Sequence, residues 1–149
     1  MRFSAFFLIS TLLVLCPSSA RAVDDLAFLR EDCGSLSNCF TTSAALESWV
    51  WGTRNPSAGD PVTVDVGPGT FGPLSCTNDG YVTFRGAGRD HSVIESTGTT
   101  PAVSISGCTE LAFQDLKVSA YEIAFLWNGD GTASLTDVEI RAGGSPSRA

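Results

Sequence analysis

Two carboxylates recur in matching contexts: Asp115 in Phe113-Gln114-Asp115-Leu116, and Asp137 in Leu135-Thr136-Asp137-Val138. Held close in space, two such groups perturb each other's ionisation and can divide acid and base roles between them. Each also sits between two apolar runs, where a polar residue marks a bend, and no further candidate group falls beside either. The structural reading therefore outweighs the catalytic one. His91 is the single histidine and has no serine or cysteine nucleophile pattern near it, so a solvated turn residue is expected rather than a triad member. Gly86-Ala87-Gly88 lacks the third glycine and the following helix that a nucleotide-binding turn requires, and it suits a sharp corner instead. Asn128-Gly129-Asp130-Gly131 matches part of a calcium-loop pattern, but the distal Glu is missing and a plain turn remains. The aromatics that would stack on sugar rings if exposed are Trp51, Tyr81, Tyr121 and Trp127; Trp49 and Phe125 are expected in the cap or core.

The cysteines raise the question of compartment. Met1-Arg2 begins a leader whose apolar run, Ala5 to Leu15, is broken only by Ser10 and Thr11. Pro17-Ser18 ends the run, and Ala20-Arg21-Ala22 is a small-residue cleavage site, so residues 1–22 read as a secretory signal and Val23 as the first mature residue. The run is short for an anchor, and Leu15 is too bulky for a lipoprotein signal at Cys16. No later apolar run is long enough to cross a membrane. Four cysteines remain, and an even number in an exported chain reads as disulfides with three formal connectivities. Cys33 and Cys39 bracket a short loop, while Cys76 and Cys108 each precede an expected strand by a few residues; these are the expected pairs. A zinc site using all four thiolates would call for a C-x-x-C pair, and none exists.

Of 149 residues, the 127 after the leader suffice for one domain with one core. Loss of Arg2 and Arg21 leaves seven basic against 16 acidic side chains, about −9. Such a chain is repelled by phosphate backbones, so nucleic acid is not an expected partner, and tight binding of polyanions is disfavoured.

The elements that must carry these residues divide at residue 60. Over 23–60, Phe40, Ala44, Ala45, Leu46, Trp49 and Val50 recur at helical spacing after the candidate caps Thr41, Thr42 and Ser43; Gly52 and Asn55-Pro56 end the helix. From Pro61 the period becomes two: Val62, Val64 and Val66 face one way, with Thr63 and Asp65 opposite. Short apolar runs follow, divided by glycine turns. Phe113 to Ala120 reappears as Leu135 to Ala142 at an offset of 22, Val62-Thr63-Val64 matches Val82-Thr83-Phe84 at 20, and Phe84 precedes Phe113 by 29. Repeats of this length indicate one turn of a solenoid each. The expected shared core is Phe84, Leu111, Phe113, Leu116, Val118, Leu135, Val138 and Ile140. A sandwich with hairpins at the Asn-Gly and Asp-Gly steps is the alternative.

Val62-Thr63-Val64-Asp65-Val66-Gly67-Pro68-Gly69-Thr70-Phe71, followed by Tyr81-Val82-Thr83-Phe84-Arg85-Gly86-Ala87-Gly88-Arg89-Asp90-His91-Ser92-Val93-Ile94, resembles the N-terminal coils of right-handed parallel β-helix proteins with the pectin-lyase fold. The resemblance spans residues 60–142. It implies a fold far more specifically than an activity. Lyases of this fold bind calcium, which makes Asp65, Asp79, Asp90 and Glu95 candidate ligands, although all lie in expected turns or outward strand positions. The methylesterase segment G-x-x-D-F-[IV]-F-G and the polygalacturonase N-T-D and G-H-G motifs are absent.

The sequence thus predicts an all-β chain: a short right-handed parallel β-helix over 61–142, an N-terminal capping helix in 23–60 and a polar tail over 143–149. The expected role is an exported, non-catalytic module presenting a surface to a polysaccharide or a cell-surface protein, needing no cofactor unless calcium. The alternative is the N-terminal part of a pectin-active lyase or methylesterase whose catalytic coils lie beyond Ala149. Self-association through an open C-terminal coil is a further expectation.

Overall fold

The computed structural model describes residues 26–77 and 80–143, so the leader, Asp79 and the tail after Gly143 lie outside the described residues. The chain is predominantly β, and its strands form three sheets in which every neighbouring pair is parallel.

From residue 62 the chain visits the sheets in fixed rotation. Strands β3 (Val62–Val66), β6 (Tyr81–Gly86), β9 (Glu110–Gln114) and β12 (Thr132–Thr136) lie in sheet A. Strands β4 (Gly69–Phe71), β7 (Ser92–Ser96), β10 (Lys117–Ala120) and β13 (Glu139–Ala142) form sheet B. Strands β5 (Leu74–Cys76), β8 (Val103–Ile105) and β11 (Phe125–Trp127) form sheet C. Each round of three strands lays its members on those of the round before. The registers match the sequence repeats: Val62 pairs with Val82, Phe84 with Phe113 and Phe113 with Leu135. A hairpin sandwich is thereby excluded for these strands, because hairpin partners are antiparallel.

Alternation within strands builds the core. Val62, Val64 and Val66 are buried, as are Val82 and Phe84, Leu111 and Phe113, then Leu116 and Val118. Equivalent side chains stack: the Phe84 and Phe113 rings lie 5.2 Å apart with their planes nearly parallel, and Phe125 meets Phe113 edge-on at 5.6 Å. Such ring pairs add about 0.5–1.5 kcal/mol to area burial.

The expected core list fails in the last described round. Leu135 is 46% exposed and Ile140 48%, while Val138 is only half-buried. Their registers are right, but among the described residues no further round lies on top of them. Periodicity sets the direction of a side chain; burial needs a neighbour on both sides.

The corners carry the bends expected of them. Asp115 and Asp137 both have φ of 52°, the left-handed conformation that Asp tolerates better than most residues. A Cβ on Gly86 would lie 2.2 Å from the Asp115 carbonyl oxygen, and Gly88 has φ of 124°, so the G-x-G segment is a corner where side chains do not fit.

The N-terminal segment adds strands that the sequence reading did not identify. Leu26–Leu29 is strand β1, which pairs with β3 and extends sheet A; Cys39–Phe40 is strand β2, beside β1. Phe40 therefore lies in a strand and not in the helix, although it still packs against Trp49 at 5.6 Å. Helix α1 spans Ser43–Trp49, with the Thr42 hydroxyl accepting from the Ala45 N–H at 3.2 Å as its N-cap. A π-helical turn, Val50–Arg54, continues it and ends at Asn55 with φ of 47°. Leu46 and Val50 are its buried face, whereas Ala44 and Ala45 are exposed. Cys33 and Cys39, and Cys76 and Cys108, lie at disulfide spacing with Cα separations of 5.5 and 5.8 Å. No helix among the described residues is long and apolar enough to cross a membrane.

Candidate functional site

Helix α1 lies against the free edge of sheet C. An edge strand presents unpaired N–H and C=O groups that invite another strand. Here Ser43, Glu47 and Trp51, spaced four apart on one helical face, supply the missing partners. The Ser43 hydroxyl donates to the Gly72 carbonyl at 2.7 Å. The Glu47 carboxylate accepts from the Ser75 N–H and, at 2.9 Å, from the Ser75 hydroxyl. The Trp51 indole N–H donates to the Ser75 carbonyl at 2.9 Å. Both backbone groups of Ser75 are thus satisfied by side chains, as a neighbouring strand would satisfy them. A Cβ on Gly80 would sit 2.6 Å from the Trp51 ring, so glycine there lets the indole approach.

Where α1 meets the turn between β4 and β5, the surface opens into a groove of ≈ 550 Å³. Thr41 and Thr42 line one wall, Thr70 and Pro73 the other, Thr100 and Pro101 of the next round extend it, and Glu47 lies at its side with Ser75 and Ser104. Burial holds the Glu47 carboxyl above its usual range, against the two Ser75 hydrogen bonds that favour the charged form. Of the residues lining the groove, Glu47 is the single titratable one. Glycoside hydrolysis of the common kind needs two carboxyl groups flanking the bond. The groove's chemistry is instead hydroxyls, proline rings and one carboxylate already engaged by Ser75.

The groove follows the corner between sheets B and C. One round further along that corner stands Tyr121, 40% exposed, whose N–H donates to the Ser96 carbonyl at 3.1 Å. The other three aromatics stand at the corner between sheets C and A. Trp51 is half-buried and engaged at Ser75. Tyr81 is half-buried at the start of β6, opposite Glu110. Trp127 is 38% exposed, but it occupies the column of Ile105 and Cys76, both buried. Its indole N–H donates to the Gly129 carbonyl at 2.7 Å. The four do not form one platform, and Tyr121 alone adjoins the groove's corner.

The remaining candidates are dispersed. Asp65 faces outward on β3 and lies 3.5 Å from Arg30. Asp90 and His91 are exposed in a turn, Glu95 is half-buried on β7, and Asp79 lies outside the described residues. Among the described residues no group of three or more His, Cys, Asp and Glu side chains is placed to hold a metal ion. Asn128 to Gly131 forms a corner over Ser106 to Thr109, with a ≈ 400 Å³ hollow in which Asp130 is the acidic residue. Asp115 and Asp137 are both exposed and stack at the same corner one round apart.

Sequence reasoning found the helix but missed the groove. The signal was present in Ser43, Glu47 and Trp51, a polar stripe beside the apolar one, which a search for apolar periodicity passes over. Comparison of the chain with protein-family models, with curated proteins and with solved structures finds no match.

Proposed function

We propose that this chain is an exported, non-catalytic module of the right-handed parallel β-helix type that binds a neutral polysaccharide along the corner between sheets B and C. The three-sheet rotation supports the fold assignment. Each excursion from a strand to its parallel neighbour is a crossover connection, and such connections are right-handed in about 98% of cases. The two disulfide-spaced cysteine pairs suit an oxidising compartment, as does the leader read from residues 1–22.

The observation that carries the binding reading is the groove, lined by hydroxyls and proline rings and continued along its corner towards the exposed Tyr121. Hydroxyls hydrogen-bond sugar hydroxyls, and flat apolar faces cover sugar C–H surfaces. The acidic balance of the chain favours an uncharged ligand over a polyuronate. Titration calorimetry against a panel of neutral oligosaccharides tests this. Binding weakened about tenfold or more by Tyr121→Ala, and abolished by Thr100→Trp in the groove, is the expected result. Release of unsaturated uronate or methanol from pectin, or absence of binding to every neutral glycan, overturns it.

A further inference from the structure

We infer, given the reading of the groove beside α1 as a polysaccharide site, that the sugars it selects carry acetamido groups: the ligand is a neutral chain of N-acetylated amino sugars. Two demands made by the walls point to that substituent.

The first demand is for a hydrogen-bond donor. Glu47 is the single titratable group lining the groove, and each of its carboxylate oxygens accepts one hydrogen bond from Ser75. A carboxylate offers about four acceptor sites and no donor, so about two remain for a ligand. Burial works against the charge of this carboxyl, and a further donor offsets that cost. The second demand is for apolar cover. Ala44, Pro73 and Pro101, with the methyl groups of Thr41 and Thr70, line the groove between its hydroxyls. A polar substituent packed against such a wall loses water without gaining a partner.

The common sugar substituents meet these demands unequally. A hydroxyl donates to Glu47 but covers none of the apolar wall. An O-acetyl group or a methyl ester brings a methyl with acceptors only, and these face a carboxylate that also only accepts. A free amine is charged at neutral pH, keeps its hydration and has no methyl. A uronate is repelled by the acidic chain. An acetamido group supplies both a donor and a methyl. Its N–H donates to Glu47, and its methyl lies on the proline rings. Its carbonyl accepts from the hydroxyls of Thr100 and Ser104, which make no hydrogen bond among the described residues. The hydroxyls of Ser43 and Ser75, by contrast, already donate to the Gly72 carbonyl and to Glu47.

Titration calorimetry with two ligands of one backbone isolates the substituent: chitohexaose, with acetamido at C2, and cellohexaose, with hydroxyl there. Chitohexaose should bind the wild-type protein at least about tenfold more tightly, the worth of one hydrogen bond to a charged acceptor. Glu47→Gln keeps an acceptor for the Ser75 N–H but not the charge, and should narrow the ratio to about threefold or less. An acetamido-free neutral glycan that binds as tightly as chitohexaose overturns the inference and leaves the polysaccharide reading standing. So does a glucosamine hexamer of equal affinity, which would bind by its charge, or a ratio unchanged in Glu47→Gln. Absence of binding to chitohexaose and to every other neutral glycan removes both the inference and the reading beneath it.

Discussion

Among the described residues, the first and last rounds of the stack face the same physical problem and differ in how far it is solved. Both present strand edges and the apolar cross-section of the core. At the N-terminal end, side chains of α1 and the π-helical turn after it take the place of a strand: Glu47 and Trp51 satisfy the N–H and C=O of Ser75, and Leu46 and Val50 seal the core with none of their surface left appreciably exposed. At the other end Leu135 and Ile140 occupy core positions by register and remain about half exposed. Core membership in this architecture is thus a property of a round and its two neighbours.

The sharpest way to break this comparison is to cut the same column at two heights. Phe113→Ala empties a site packed by Phe84 and Phe125 and should cost about 3–5 kcal/mol in denaturant unfolding. Leu135→Ala, one round higher in the same column, should cost less than about 1 kcal/mol, since the side chain has little burial to lose. Equal costs would mean that the last round is covered.

The cysteine pairs provide the next contrast. Cys76–Cys108 ties two successive corners across 32 residues, whereas Cys33–Cys39 closes a separation of six near the covered end. On chain entropy the first should contribute about 3–4 kcal/mol and the second about 2. Paired Cys→Ser variants followed by thermal unfolding measure both. A larger loss from the short loop would indicate that β2 and α1 depend on it for folding.

Much of this arrangement was legible in the residues. The offsets of 20, 22 and 29 are the observed registers, and the bends fall where Asp115, Asp137 and Gly86 mark them. Strand β1 escaped notice because Leu26 to Leu29 is uniformly apolar, with no alternation and no glycine corner before it; only its partner β3 decides that Ala27 and Leu29 point inward. The exposure of Leu135 and Ile140 was not legible either, because a period sets where a side chain points and not what lies on top of it. The groove depends on where α1 docks, a tertiary fact carried by three polar contacts rather than by any local pattern.

Those contacts yield a smaller, pH-dependent effect at the covered end. Glu47→Ala removes the side-chain acceptor of the Ser75 N–H beside the groove and should cost about 0.5–1.5 kcal/mol. The ionisation of Glu47 has a definite sign. Burial raises its folded-state value above the ordinary 4.5, so the folded protein holds the proton more tightly than the unfolded chain. The stability gained from the protonated form is fully present below the unfolded value and is lost as pH rises through the folded one. Wild type should therefore lose stability relative to Glu47→Gln as pH rises from below 4.5 towards neutrality. A difference between the two that stays flat with pH would place the carboxyl in water, and a difference of opposite sign would make the Ser75 hydrogen bonds stronger than the burial.

The smallest effects belong to the bends, where the stacked carboxylates again compare an inner round with the outer one. At φ of 52° a β-branched side chain clashes with its own backbone, at a cost of about 1–2 kcal/mol, while Asn is tolerated as well as Asp. Asp115 is held from both sides, its carbonyl accepting from the Gly88 N–H at 2.8 Å and its N–H donating to the Thr136 carbonyl at 3.1 Å. Asp115→Val should therefore cost the full amount, because the corner cannot relax without breaking both bonds. Asp137→Val should cost less, since among the described residues no round above it holds the corner in place. Asp115→Asn should leave stability within about 0.5 kcal/mol of wild type. The same variant decides between bend and chemistry: if Asp115→Asn keeps its stability yet abolishes a measurable activity on pectin, the pair is catalytic and its place at the corner is that of an active site.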